Sequence, residues 1–194
     1  MSEVDGRLQR GDRTREALLR SARALFALHG RDGASVRDVA RHAGVNPGLV
    51  RYHFGSKDEL YRSAIAEALG GLRERVIVAV GSATSPADAV KRVIDAYLDH
   101  IDTDPDLVKL VARGTLDGDD VVVGLVADHI RPMLTLGSTV PGFDPDAALS
   151  VFAACVVATI YEPALARIGR DPADPAMAAA RRAHIHDLVR RLLG

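Results

Sequence analysis

One local device recurs along this chain and restricts what it can fold into. A Ser or Asp is followed at once by Pro at Ser85-Pro86, Asp104-Pro105, Asp144-Pro145 and Asp174-Pro175. The side-chain oxygen of the first residue accepts an N–H that an opening helical turn leaves without a partner, and proline has no N–H to leave. Between these starts apolar residues return every three or four positions, as in Leu18, Ala22, Leu25 and Phe26, then Val90, Val93, Ile94, Tyr97, Leu98 and Ile101. A strand would need alternation, and no useful length of it occurs. The β-branched runs 76–80 and 121–126 sit beside helical patterns rather than between hairpin turns. The expected fold class is all-α, with about nine helices.

At 194 residues the chain can form one mid-sized domain or two small ones. Its single cysteine, Cys155, lies within the apolar run "VFAACVVATI", which reads as a buried thiol in a reducing compartment. The opening residues "MSEVDGRLQRGDRTRE" are polar, unlike a signal peptide, and no apolar run reaches the roughly 18 residues that span a bilayer. A cytoplasmic protein with no membrane partner is expected. Charge is divided unevenly: residues 1–62 carry 12 Lys/Arg against 8 Asp/Glu, a net +4, and the remainder is net −5. That asymmetry suits a polyanion-facing N-terminal module joined to a different one.

Within the basic module, residues 12–29 are amphipathic and Gly30 suits a left-handed C-terminal cap. "SVRDVARHAGV" follows, with Ser35 as N-cap and Asp38 three residues on, a variant of the capping box. Ala43-Gly44-Val45 gives a tight turn, Asn46 caps a new helix and Pro47 takes its first position. Helix, glycine turn and helix at this spacing match a helix-turn-helix, whose second helix enters the DNA major groove. Val50 and Phe54, four apart, suffice to anchor that second helix, which leaves Pro47, Gly48, Leu49, Arg51, Tyr52 and His53 mainly outward. Arg51 can pair with guanine O6 and N7, Leu49 can touch a thymine methyl, and Tyr52 and His53 can donate to phosphates. "GSKDEL" then opens another helix with Ser56 and Glu59 as capping box. Lys57 in its first turn opposes the helix dipole, which a bound phosphate would offset.

The run "SVRDVARHAGVNPGLVRYHFGSKDELYRSAI" resembles the DNA-binding domain of the TetR (tetracycline-repressor) family of bacterial transcriptional regulators, over about residues 12–65. The resemblance implies a three-helix headpiece, a longer linking helix and an all-helical ligand domain that dimerises. By position it implies DNA contacts from Ser35, Arg37, Asn46, Pro47, Gly48, Leu49, Arg51, Tyr52 and His53, with Lys57 on a phosphate. Where many members carry a tyrosine, this chain has Arg51. The expected division is 1–62 for the helix-turn-helix domain and 63–194 for the ligand-binding and dimerisation domain.

The linking helix, near residues 57–79, contains Gly70-Gly71, which either permits a bend or admits a close neighbour. Residues 144–168 form the most apolar helix, with a seam of small residues through Ala147, Ala148, Val151, Ala154, Cys155 and Ala158. Residues 174–193 form the last helix. The expected dimer interface takes Ala148, Val151, Cys155 and Ala158 from the first and His184, Leu188 and Leu192 from the second, as a four-helix bundle across a two-fold axis. A ligand pocket is expected where polar groups interrupt apolar faces, at Tyr97, His100, Arg113, His129, Phe152, Tyr161 and Glu162. Pro132 and Pro163 fall in apparent helices and should kink them.

Catalytic and metal readings find little support. His184 and His186, two apart on a helix, point to different sides and cannot share an ion. The acidic loops 102–106 and 117–120 lack the calcium-loop pattern, and no nucleophile elbow, Walker loop or dinucleotide fingerprint occurs. The chain therefore reads as no enzyme, with no cofactor and no metal. The expected function is ligand-responsive regulation of transcription, most often repression, by a homodimer on a palindromic double-stranded DNA operator, released by a small apolar or amphipathic effector. A ligand-independent helix-turn-helix protein is the alternative.

Overall fold

The caps written in the sequence set most helix boundaries. A computed structural model describes residues 3–138 and 144–192, and these form ten helices. In chain order they are α1 (Glu3–Gly33), α2 (Val36–His42), α3 (Gly48–Phe54), α4 (Lys57–Gly81), α5 (Pro86–Thr103), α6 (Pro105–Leu116), α7 (Asp120–Gly137), α8 (Pro145–Ile160), α9 (Glu162–Arg167) and α10 (Pro175–Leu192). All four Ser/Asp-Pro pairs open helices: Ser85 Oγ accepts from Asp88 N at 3.1 Å, Asp144 Oδ1 from Asp146 N at 3.0 Å and Asp174 Oδ1 from Ala176 N at 2.7 Å, while Pro105 begins α6. Both β-branched runs are helical, in α4 and α7.

Three boundaries differ from the sequence reading. The expected helix 144–168 divides at Tyr161, which ends α8 and begins α9. Pro163 is the cause, since it lacks an N–H for the helical ladder and its ring would strike the carbonyl four residues back; this division adds one helix to the nine expected. The first helix begins at Glu3, well before residue 12, and Gly30 lies inside it at φ 75° and ψ 170°, a break after which one further turn follows. Expected kinking at Pro132 falls on a side chain outside the described residues.

The chain forms two compact units. One comprises the residues up to Ala68 together with Leu110–Val123, the other Leu69–Lys109 together with the chain from Gly124 onward. The first has Leu18, Leu19, Phe26, Val39, Val50, Leu60 and Ile65 at its centre, all nearly inaccessible, with Leu110 and Val122 buried in the same unit. Phe26 meets Tyr61 edge to face at 5.2 Å, a favoured aromatic geometry. The buried Ser21 hydroxyl is 3.0 Å from His42 Nδ1, which ties α1 to α2. In the second unit α5, α8 and α10 enclose Ile94, Leu98, Ile101, Cys155, Ile185 and Val189. Arg182 bridges Asp95 and Asp99 at 3.0 and 2.6 Å, and His186 Nε2 lies 2.7 Å from Asp95, so α10 is fastened to α5 by charge as well as by apolar packing. The Cys155 thiol sits in this core, where burial pushes it up to about 11 and keeps it protonated.

Candidate nucleic-acid interface

The corner between α2 and α3 is built from backbone and cap bonds. Ser35 Oγ accepts from Asp38 N at 3.1 Å, and the Asp38 carboxylate accepts in return from Ser35 N at 3.2 Å, closing the capping box. The hydroxyl and amide of Ser35 hold the Asp38 carboxyl below the usual carboxylate range. At the other end Gly44 adopts φ 69°, Gly44 N donates to Arg41 O at 3.1 Å and Val45 N to Ala40 O at 2.9 Å. That is the paired closure of a Schellman turn, which needs a residue tolerant of positive φ. Asn46 Oδ1 then accepts from Gly48 N at 2.8 Å and starts α3.

Val50 and Phe54 are buried and hold α3 down, as their four-residue spacing requires. Asn46, Pro47, Gly48, Arg51 and Tyr52 are exposed, and Leu49 and His53 are half-buried. Tyr52 is 82% exposed, far more than an aromatic ring on an ordinary surface helix, and its edge meets His53 at 5.0 Å. Gly55, at φ 74°, ends α3. Ser56 Oγ accepts from Glu59 N at 3.1 Å, and Lys57 is the first residue of α4. Ser35 and Arg37 are exposed at the start of α2. Among the described residues neither Arg37, Arg51 nor Lys57 forms an ion pair, whereas nearby Arg41 and Arg62 are paired with Asp38 and Glu59. The site is thus a capped corner presenting three cations without an ion pair among the described residues, two rings and a capped helix start.

Two arginines matter here that the sequence reading did not single out. Arg15 of α1 lies over the Phe54 ring at 5.4 Å, at the C-terminal end of α3. Arg31, just past the Gly30 break, reaches Asp58 at 2.7 Å and Asp119 at 3.4 Å and stacks 5.6 Å over Tyr61. The Arg31 guanidinium holds Asp58 below its usual range, while burial pushes the Tyr61 hydroxyl up to about 12. Arg31 and Tyr61 line a cleft of about 530 Å³ with Leu110, Arg113, Gly114 and Asp119, all within the first unit. Neither arginine stands in a helical-face pattern, and long-range pairing leaves no local signal.

Of the expected effector residues, Arg113 belongs to the first unit and Tyr97, His100, His129, Phe152, Tyr161 and Glu162 to the second. Arg113 is exposed and lines the cleft just described. In the second unit the Tyr97 hydroxyl is 2.7 Å from His129 Nε2, and Tyr97 meets Phe152 edge to face at 6.0 Å. His100 is buried on α5, Glu162 pairs with Lys109 at 2.8 Å, and Tyr161 is exposed. Of the expected interface residues, Ala148, Val151, Ala158 and Leu188 are partly exposed and His184 is exposed, while the Leu192 side chain lies outside the described residues. Cys155 departs from expectation: it is 3% exposed in this chain's own core, because the small-residue seam packs against α5 and α10 of the same unit. The outward face of α8 instead carries Leu149, Val157 and Ile160. No group of His, Cys, Asp and Glu among the described residues is placed to hold a metal, and no helix among them is long and apolar enough to cross a membrane.

Residues 18–70 match the family described as bacterial regulatory proteins, tetR family. The chain is 35% identical over 102 residues to the HTH-type transcriptional repressor Rv3405c of Mycobacterium tuberculosis, an alignment covering 53% of this chain and 46% of that protein. It spans about half the length of the curated relatives it matches. In fold it is similar to a TetR-like transcriptional regulator from Rhodococcus sp. RHA1, with a TM-score of 0.70, 15% identity and coverage of 92% of this chain and 94% of that one. It is similar also to the fatty acid degradation regulator FadR from Bacillus halodurans, with a TM-score of 0.65, 17% identity and coverage of 90% and 93%.

Proposed function

From the premise that this chain belongs to the TetR family of bacterial regulatory proteins, we propose that it is a repressor of transcription that binds a palindromic operator as a homodimer and lets go when a small effector binds. The observation that carries this reading is α3, which buries Val50 and Phe54 and turns Arg51 and Tyr52 outward, with no acid among the described residues pairing the arginine. Docked in a major groove, Arg51 would read a guanine edge and Tyr52, His53 and Lys57 would hold the phosphates on either side.

The effector site belongs in the second unit, around the Tyr97–His129 pair and Phe152. Burial, reinforced by Arg73 and His100, holds His129 below its usual range, so near neutral pH the pair is an uncharged hydrogen-bonding group in apolar surroundings. That chemistry favours an apolar or amphipathic molecule with one polar group. The effector weakens operator binding, and by linkage the operator weakens effector binding by the same factor.

Selection of bound duplex from a random pool tests the reading. A two-fold symmetric consensus is expected, and Arg51→Ala with Tyr52→Ala should cost about 1–3 kcal/mol for each base pair no longer read. Equal binding of the double variant and the parent to the selected duplex would overturn it.

A further inference from the structure

An arginine stands beside the apolar stripe of α4 with no acid to meet it. Leu69, Leu72 and Val76 of that helix are buried, and Leu72 and Val76 cluster with Tyr97 of α5, with Val80, Val93 and Phe152 packed against them. At about 100° per residue, positions 69, 72, 76 and 80 fall within an arc of roughly 80°, and position 73 lies roughly 20° beyond its edge. Apolar side chains usually fill such a place, yet Arg73 is charged and exposed. The residues one turn from it are Leu69, Gly70, Val76 and Ile77, so no acid is within reach along the helix. Among the described residues it forms no ion pair. Arg41, Arg62 and Arg92, by contrast, each pair with an acid three or four positions away.

The surroundings match that charge to one chemistry. Within the same cluster the Tyr97 hydroxyl is 2.7 Å from His129 Nε2, and the Tyr97 ring meets Phe152. Burial holds His129 below its usual range, and the two side chains that add to this, Arg73 and His100, are both basic. All of these residues belong to the second unit. Val80, Val93 and Phe152 are only partly buried and leave apolar area open at the edge of the cluster. The site therefore offers an apolar wall, a polar pair within it and a cation where it meets solvent. A neutral molecule would leave Arg73 unused, and a cationic one would be opposed by it. One guanidinium balances one negative charge and its fork matches a carboxylate, whereas a phosphate ester brings nearly two charges. We propose that the effector is an amphipathic carboxylate, whose hydrocarbon part lies against Val80, Val93 and Phe152 and whose head is held by Arg73. The inference rests on the effector reading and names the class of molecule which that reading leaves open.

The test titrates the full chain by calorimetry with butanoate, hexanoate and octanoate, and with the alcohols and primary amines of the same lengths. At neutral pH each carboxylate should bind about fivefold or more tightly than its alcohol, the factor that an ion pair at a solvated rim supports, and the amines should bind least. The advantage should shrink with added salt. Arg73→Gln should remove it and leave alcohol binding unchanged, and Arg73→Lys should restore part of it, since the charge remains and the fork does not. Arg75→Gln, about 160° round the helix from Arg73, should change nothing. Glutamine is a good helix former and position 73 is exposed, so unchanged thermal melts are expected. In fluorescence anisotropy octanoate should free the selected duplex at a lower concentration than octan-1-ol does. Equal affinity for carboxylates and alcohols, a preference for amines, or a carboxylate advantage that survives Arg73→Gln would overturn this inference and leave the effector reading standing. Carboxylates that bind through Arg73 yet leave the duplex in place would overturn their part as effector. Binding by none of the three series would overturn the inference together with the reading beneath it.

Discussion

Tyr97 and His129 show how burial sets chemistry at single residues. The imidazole lies 2.7 Å from the tyrosine hydroxyl, and its basicity is lowered by burial first and by Arg73 and His100 after that. An unfolded histidine titrates near 6.5, so below that pH the unfolded chain takes up a proton that the folded one resists. Stability held above about pH 6.5 is therefore lost as pH falls below it, and His129→Gln should remove that part of the acid sensitivity in melts at pH 7.5 and 5.5. Gly114 makes a different demand. A Cβ there would sit 2.5 Å from Val122 Cγ2 and 2.9 Å from its Cβ, atoms that cannot swing away. Gly114→Ala gains about 1 kcal/mol of helix propensity. Overpacking typically costs about 1–3 kcal/mol, so a lowered unfolding midpoint is expected from thermal denaturation.

Among the elements, α4 passes through Gly70-Gly71 as unbroken helix, and a Cβ at either position meets nothing within 4 Å. Among the described residues, close approach of a neighbour therefore does not explain the pair. The division between the two units falls at Ala68–Leu69, immediately before it. Replacing both glycines with alanine should stabilise α4 by about 1 kcal/mol each, and if the pair permits bending, effector-driven release of the operator should weaken in a fluorescence anisotropy titration while operator affinity holds. Boundaries were legible in the sequence wherever a side chain three or fewer residues away decides them, as Ser35, Asn46, Ser56, Ser85 and Asp144 do. Outward residues of α3 were legible for the same reason, since two anchors four apart fix a short helix. What the seam on α8 packs against was not legible. Periodicity shows that Val151 and Cys155 share a face but not whether that face meets this chain or another, and α5 and α10 of the same unit take it.

For the molecule as a whole, the outward side of α8 presents an apolar face on which Leu149, Val157 and Ile160 are each between 41% and 46% exposed. If the proposed homodimer pairs through this face, Val157→Glu should shift the protein to monomer in sedimentation velocity and lower affinity for a palindromic duplex far more than for a single half-site, because two recognition helices about 34 Å apart would share one binding event. The first unit itself is not a contiguous stretch. Leu110 and Val122, the Arg31–Asp119 pair and the Arg113 side chain beside Gly30 come to it from beyond α5. A nascent chain that has cleared the ribosome only as far as Ala68 consequently still lacks these partners. This unit is completed only after all of α5 has been synthesised, so its core closes no earlier than a large part of the second unit has been made.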